Sequence, residues 1–226
     1  MISLNGNDIR RLLLGTLLIL ALVSCASPPT EPGDATQIAP TEQSPRPSAT
    51  PSGGVSEAVP VGIEQKHPAD VDNSILPITP VEELHHTGRT QEYDIDTYRL
   101  VVDGLVDNPL SLTYQDLLDR PQVREAVLLI CPGFFWDNAE WSGTPLSLIL
   151  EEAGLAADAS TVRLTAGDGY SQNLSLEEAM ADGVFLAYVV NGETLPPDHG
   201  YPVRLVARHQ FGSKWVKWVE RIEVLA

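Results

Sequence analysis

Cysteine is nearly absent from this chain: Cys25 and Cys131 are the only two among 226 residues. Cations are scarce as well, with 14 Lys and Arg against 31 Asp and Glu and a formal net charge of −17. That deficit argues against nucleic acid as a partner, since phosphate-backbone binding rests on clustered Lys and Arg. No C-x-x-C pair and no C-x-x-C-H segment occurs, which removes zinc-ribbon and covalent-haem sites. A zinc site built on His85, His86, His199 or His209 also fails on spacing, because adjacent His85 and His86 on a strand would point to opposite faces. No internal repeat is present, and no apolar run reaches the about 20 residues that a membrane-spanning helix needs.

The longest apolar run, Leu12 to Val23, has twelve residues interrupted by Gly15 and Thr16. Preceded by Arg10 and Arg11, it has the length and flanks of a secretory signal. It closes in Leu22-Val23-Ser24-Cys25, which resembles a bacterial lipobox. That resemblance implies a signal peptide over residues 1–25, with Cys25 lipidated and the mature protein exported and held at the outer face of a bacterial membrane. Two or three acyl chains, at about 0.8 kcal/mol per buried CH₂, anchor a domain firmly. An uncleaved anchor helix is the alternative. The Arg10-Arg11 pair also resembles a twin-arginine signal, which exports folded proteins, although Ile9 stands where Ser or Thr is usual. With Cys25 lipidated, one thiol remains and no intramolecular disulfide can form.

Residues 26–75 hold nine of the 18 prolines, with Ser, Thr, Gly and Glu between them. Such composition buries too little apolar surface to offset its ordering entropy, so a disordered tether is expected. From Leu76 to Ala226 the chain carries regular aliphatic runs and all four Trp, enough for one core.

Within residues 76–226 the pattern predicts strands over Thr97 to Val106, "AVLLIC", "STVRLTA", "VFLAYVV", "YPVRLVAR" and "KWVKWVERIEVL". Short helices are expected at "SLTYQDLLD", with Thr113 as N-cap and Asp116 three residues on, at "TPLSLILEEAG", and at "SLEEAMADG". The class is α+β, with a mixed, largely antiparallel sheet and short helices.

Two features stand against this background. The aliphatic strand Ala126 to Ile130 ends on Cys131, the sole remaining thiol, before a Pro132-Gly133 turn and three aromatics. Without context such a cysteine is an inert core residue. Between Arg204 and Arg221 stand five cations opposed only by Glu220, with His199 and His209 close by. Such an island suits a compact anion, though a solvated strand face would look the same. The alternation of Lys and Trp in "GSKWVKWVERIEV" suggests that the lysines project from a rigid strand.

The segments "YRLVVDGLVDNPLSLTYQDL", "LLIC", "WSGTPLSLIL", "AGDGYS", "LAYVVNGETLPPDHGYPVRLV" and "FGSKWVKWVERIEV" together resemble the molybdopterin-binding oxidoreductase domain family. That family includes sulfite oxidase, assimilatory nitrate reductase and the periplasmic methionine-sulfoxide reductase catalytic subunit. The resemblance covers residues 76–226 and implies the sulfite-oxidase-type fold with a molybdenum–molybdopterin cofactor. It implies Cys131 as the thiolate ligand of the metal, His199 and Arg204 on the pterin and its phosphate, and Trp215, Val216 and Lys217 along the phosphate tail. Asp168 matches a loop close to the metal, where an Asp is otherwise a turn residue. The implied activity is two-electron oxo transfer on a small molecule, with electrons exchanged with a separate redox partner such as a cytochrome or quinone-linked protein.

This chain departs from the family in three places. The sulfite-oxidase segment F-V-R-N-H is replaced by "VEELHHTGRT", so the arginine that helps bind sulfite has no counterpart unless Arg89, His85 or His86 stands in. Ala207 to Gln210 replace the usual Val-Pro-Gly. The C-terminal dimerisation domain of sulfite oxidases is not expected beyond Ala226. The alternative reading is a non-catalytic surface lipoprotein that keeps the fold to capture an anion or peptide; retention of Cys131 favours the enzyme.

Overall fold

The computed structural model describes residues 61–226. The signal segment with Cys25, and the tether as far as residue 60, lie outside the described residues. Ten strands and three α-helices follow in the order β1 (Leu100–Gly104), β2 (Leu110–Leu112), α1 (Tyr114–Leu118), β3 (Val123–Cys131), β4 (Phe135–Pro145), α2 (Leu146–Ala153), β5 (Thr161–Ala166), β6 (Ser171–Ser175), α3 (Leu176–Ala179), β7 (Val184–Val190), β8 (Glu193–Thr194), β9 (Arg204–Ala207) and β10 (Val219–Leu225). They form two five-stranded sheets. One runs β2-β1-β10-β5-β6; the other runs β3-β4-β7-β8, with β9 also on β7. Only β1 and β10 pair in parallel, so the α+β, largely antiparallel class holds.

Local signals account for much of this. Thr113 and Asp116 close a reciprocal capping box on α1, and Ser175 and Glu178 do the same on α3. α2 buries Leu146, Ile149, Leu150 and Ala153, spaced three and four apart, and ends at Gly154 with φ 71°. Asn191 and Gly192, with φ 49° and 83°, make the tight turn between β7 and β8. Where β4 shifts register against β7, a Cβ on Gly143 would lie 2.0 Å from the Leu186 carbonyl oxygen, so only glycine fits.

The β3–β4 hairpin organises the rest. Cys131 pairs with Phe135 and Leu129 with Asp137, so these four side chains share one face with Val127, Ala139 and Trp141. That face joins the main core between the sheets. Leu128, Ile130, Trp136 and Asn138 occupy the opposite face and pack on Ile63, Leu76 and Val71. The continuous apolar run in β3 follows from this: the strand is covered on both sides.

The covering chain corrects the expected boundary at residue 76. Residues 61–75 carry three 3₁₀ turns, and Ile63 is fully buried. Asn138 holds this segment, its side-chain amide donating to the carbonyls of Asn73 and Leu76 (both 3.2 Å) while its oxygen accepts from Asn73 (3.0 Å). Low apolar content concealed a segment that is docked by backbone carbonyls. A second correction concerns "KWVKWVERIEVL". Gly212–Lys214 form a 3₁₀ turn, Trp218 has φ 53°, and the strand begins only at Val219. Lys214 and Lys217 therefore sit on an irregular segment rather than a strand.

Asn138→Ala is expected to destabilise the domain by about 1–3 kcal/mol, the cost of leaving buried carbonyls unpaired. Urea unfolding measures it, and proteolytic cleavage within residues 61–80 should accelerate. A change below about 0.5 kcal/mol would show that Ile63 and Leu76 alone dock the segment.

Candidate active site

Four stretches converge on one cavity of about 300 Å³: the end of β3 with its turn, the loop after β5, the irregular segment between β9 and β10, and residues 85–88. Cys131, Asp168, Arg204, Trp215 and Lys217 all line it. The expected site residues, scattered over 87 positions of sequence from Cys131 to Lys217, are thus brought together. His199 lies behind the cavity wall, buried, with its carbonyl accepting from Arg204 Nη1 at 3.1 Å. Val216 does not face the cavity; its side chain is fully buried in the core and its carbonyl accepts from the Leu205 amide at 2.7 Å. Cys25 lies outside the described residues.

Arg204 has the least ordinary environment. Its guanidinium is buried, with its carbon 4.8 Å from the Trp141 ring centre and 5.5 Å from that of Trp215. Its Nε has no hydrogen-bond partner, and among the described residues no carboxylate lies within salt-bridge reach. Burial pushes it down to about 10, with Asp137 opposing, so it remains cationic at neutral pH. A buried cation held only by π-faces and one carbonyl is an anion site in wait.

Lys217 donates to the carbonyls of Thr87 (2.5 Å) and Asp198 (2.9 Å) and lies 4.2 Å from the Trp218 ring centre. Burial, followed by the field of Arg204, brings it down to about 8. Gly200, with φ 114°, lets the backbone pass: a Cβ there would press on the side chains of Arg204 and Lys217 at 3.0 and 3.1 Å. Asp168 is exposed and accepts from the Tyr170 amide at 2.9 Å, so it caps its own turn while facing the cavity.

Two groups at the site carry no motif. His85 reaches across to Asp137, its amide donating to Oδ2 (3.0 Å) and its Nδ1 lying 2.9 Å from Oδ1, with its ring stacked on Phe135 at 4.5 Å. Asp137 is buried, which raises its pKa, while the His85 bonds pull it back. His86, Asp198 and His199 place three donor atoms within 4.8 Å of one another. Arg204 and Lys217 both bear on His199, a field that opposes a divalent cation there. Arg89 is exposed and does not line the cavity, so His85 and His86 occupy the place where an arginine was sought.

A soft thiol on one wall and two cations on the others fit a molybdenum–molybdopterin group. Thiolate suits a redox metal, and Arg and Lys suit a phosphate. The unpaired Arg204 Nε is the structural observation behind that fit.

Burial lowers His199 to about 4 from an ordinary 6.5, so it is neutral at pH 7. The unfolded chain takes up this proton as pH falls through 6.5, and the folded chain resists until about 4. Stability therefore falls on acidification across that window, with this residue contributing up to about 1.4 kcal/mol per pH unit. Urea midpoints of the wild type and His199→Gln at pH 7, 5.5 and 4.5 should diverge, the variant losing less; parallel curves would overturn the assignment.

Comparison with known proteins agrees with this geometry. The family model described as oxidoreductase molybdopterin binding domain matches residues 86–226. The uncharacterized oxidoreductase YuiH of Bacillus subtilis is 36% identical over 140 residues, covering 61% of this chain and 71% of YuiH. Sulfite oxidase of Arabidopsis thaliana is 29% identical over 224 residues, covering 83% of this chain and 57% of the plant protein. The crystal structure of the sulfane dehydrogenase SoxCD from Paracoccus pantotrophus superimposes with a TM-score of 0.60 at 33% identity, over 65% of this chain and 43% of that one. The chain thus spans little more than half of the plant enzyme and less than half of the SoxCD chain. It belongs to the molybdopterin-binding oxidoreductase family, whose cofactor is molybdenum–molybdopterin.

Proposed function

We propose that this protein is an exported, lipid-anchored molybdenum–molybdopterin enzyme. It carries out two-electron oxo transfer on a small substrate and exchanges electrons with a separate redox protein. The observation that carries the reading is the pairing, across one cavity, of a lone thiol with a buried guanidinium that has no carboxylate partner. The buried cation, which costs stability until an anion meets it, would serve an anion-binding module as well, and it is the thiol on the same cavity that favours the metal enzyme.

When bound, the cofactor would supply a redox metal suited to two-electron chemistry. Cys131 would hold that metal through its thiolate, at a strand end followed by a turn that fixes the backbone. Arg204 and Lys217 would neutralise its phosphate, and His199, neutral at pH 7, positions Arg204 through its carbonyl. Trp215, Trp218 and Phe135 exclude water from the cavity wall. Among the described residues Arg204 and Lys217 are the only Lys or Arg on that wall, and with both assigned to the phosphate no such group is left for an anionic substrate. The lipobox around Cys25 supports the membrane anchor, and the missing C-x-x-C-H supports an external electron partner.

Cys131→Ala should abolish oxo transfer and metal retention in purified protein while its thermal midpoint stays within a few degrees of wild type. Full molybdenum content in the variant would remove the thiolate assignment. Arg204→Met should strip pterin from the protein after gel filtration, as should Lys217→Ala, while exposed Lys66→Ala retains it. The apo form of Arg204→Met should be no less stable than apo wild type, since an apolar side chain replaces an unpaired buried charge. Equal pterin in all three variants would reduce the basic island to a solvated face.

Cys25→Ser should move the protein from the membrane fraction to the soluble exported fraction, as read by fractionation and immunoblot. Continued sedimentation with membranes would assign anchoring to an uncleaved Leu12–Val23 segment.

A further inference from the structure

His85 lies one residue before the segment that matches the family, and the sequence named it only as one of three candidates to replace the absent sulfite-binding arginine. Three independent constraints hold its ring. The backbone amide and Nδ1 both engage the carboxylate of Asp137, the Phe135 ring stacks beneath it at an interplanar angle of 11°, and the next turn of chain is pinned where Lys217 takes the Thr87 carbonyl. Asp137 stands on the same face of the hairpin as Cys131 and Phe135. An ionised carboxylate only accepts, so the proton between the two side chains sits on Nδ1 and leaves Nε2 as the other functional nitrogen. Among the described residues Nε2 has no hydrogen-bond partner, and the ring, about half exposed, lines the cavity.

Of the other ionisable groups on that wall, Asp168 caps its turn, Lys217 binds two carbonyls and Tyr170 donates to the Ser213 carbonyl, while His86 has no carboxylate within hydrogen-bond distance to orient it, its Nδ1 lying 3.7 Å from Asp198. A carboxylate–imidazole pair with one free nitrogen facing a reaction cavity is the arrangement that holds a general acid–base in one tautomer.

We propose that His85, oriented by Asp137, is the catalytic proton donor and acceptor of this site, which rests on the oxo-transfer reading above. In the reductive direction the substrate X=O takes two electrons from the reduced redox protein and two protons, giving X and H₂O. Solvent first protonates Nε2 of the half-exposed ring while Nδ1–H stays on Asp137; the X–O bond then breaks as this imidazolium delivers its Nε2 proton to the departing oxygen, and solvent supplies the second proton. In the oxidative direction X takes its oxygen from water and gives two electrons to the oxidised redox protein, while Nε2 accepts one of the two protons released and solvent takes the other. Asp137 is a positioning residue: it never touches substrate, and it fixes which nitrogen faces the cavity.

The test uses cofactor-loaded protein. Histidine-¹⁵N NMR should show His85 with its proton on Nδ1, and Asp137→Asn should abolish that preference. His85→Asn keeps a side-chain N–H directed at Asp137 but lacks Nε2, so it should retain wild-type molybdenum, pterin and melting temperature. With dimethyl sulfoxide as oxo donor and reduced methyl viologen as electron donor, its kcat should fall on the order of 10²-fold with KM little changed. Asp137→Asn should fall less, because the donor remains but is no longer fixed. A neutral ring protonated on Nε2 and not on Nδ1 in the wild type, or wild-type kcat in loaded His85→Asn, would overturn the proposal. Loaded wild type that turns over no dimethyl sulfoxide would count against oxo transfer itself, and the tautomer measurement separates that failure from a misassigned donor.

Discussion

The guanidinium of Arg204 is the constraint on which the site depends. It lies buried between the rings of Trp141 and Trp215, held by the His199 carbonyl and with one nitrogen unpaired. A charge so placed costs folding free energy, and the two sheets that surround it must be stable enough to bear that cost. Trp141 comes from β4, Arg204 from β9 and Trp215 from the segment that leads to β10, so one sheet and its crossing to the other meet at this side chain. The domain is built to keep a cation dry until an anion arrives.

The β3–β4 hairpin supplies the second half of the arrangement. One face carries the thiol and its aromatic and acidic neighbours toward the cavity; the other binds the N-terminal residues 61–80 through Asn138 and an apolar cluster. Docking of that segment precedes, along the chain, the point where His85 crosses to Asp137. The segment therefore does more than tether the domain: it delivers the roof of the cavity. Because the roof is held by polar contacts, its register is set by geometry rather than by apolar area.

Family membership and the cofactor class rest on the matched segment and on relatives of which this chain covers different shares. The substrate remains a matter of local chemistry. Here the wall offers aromatic rings, two histidines and two committed cations, with Arg89 turned away. An arginine in that place would present a charge to the substrate. A histidine backed by a carboxylate presents an exchangeable proton instead.

The sequence by itself determined the α+β class, the capping boxes at Thr113 and Ser175, the tight turn at Asn191-Gly192, the singular thiol of Cys131 and the basic island around Arg204. Each is a short-range pattern whose physical cause lies within a few residues. Tertiary structure alone decided that β4, rich in aromatic and polar residues, is the longest strand, because its partners in β3 and β7 complete its ladder. It also decided that residues 61–75 dock, that Val216 turns into the core while Lys217 faces the cavity, and that His85 meets Asp137 across 52 positions. Hydrogen bonds between residues so far apart leave no period in the sequence, since each partner is locally an ordinary polar residue. Their meaning arises only when the fold removes water from between them.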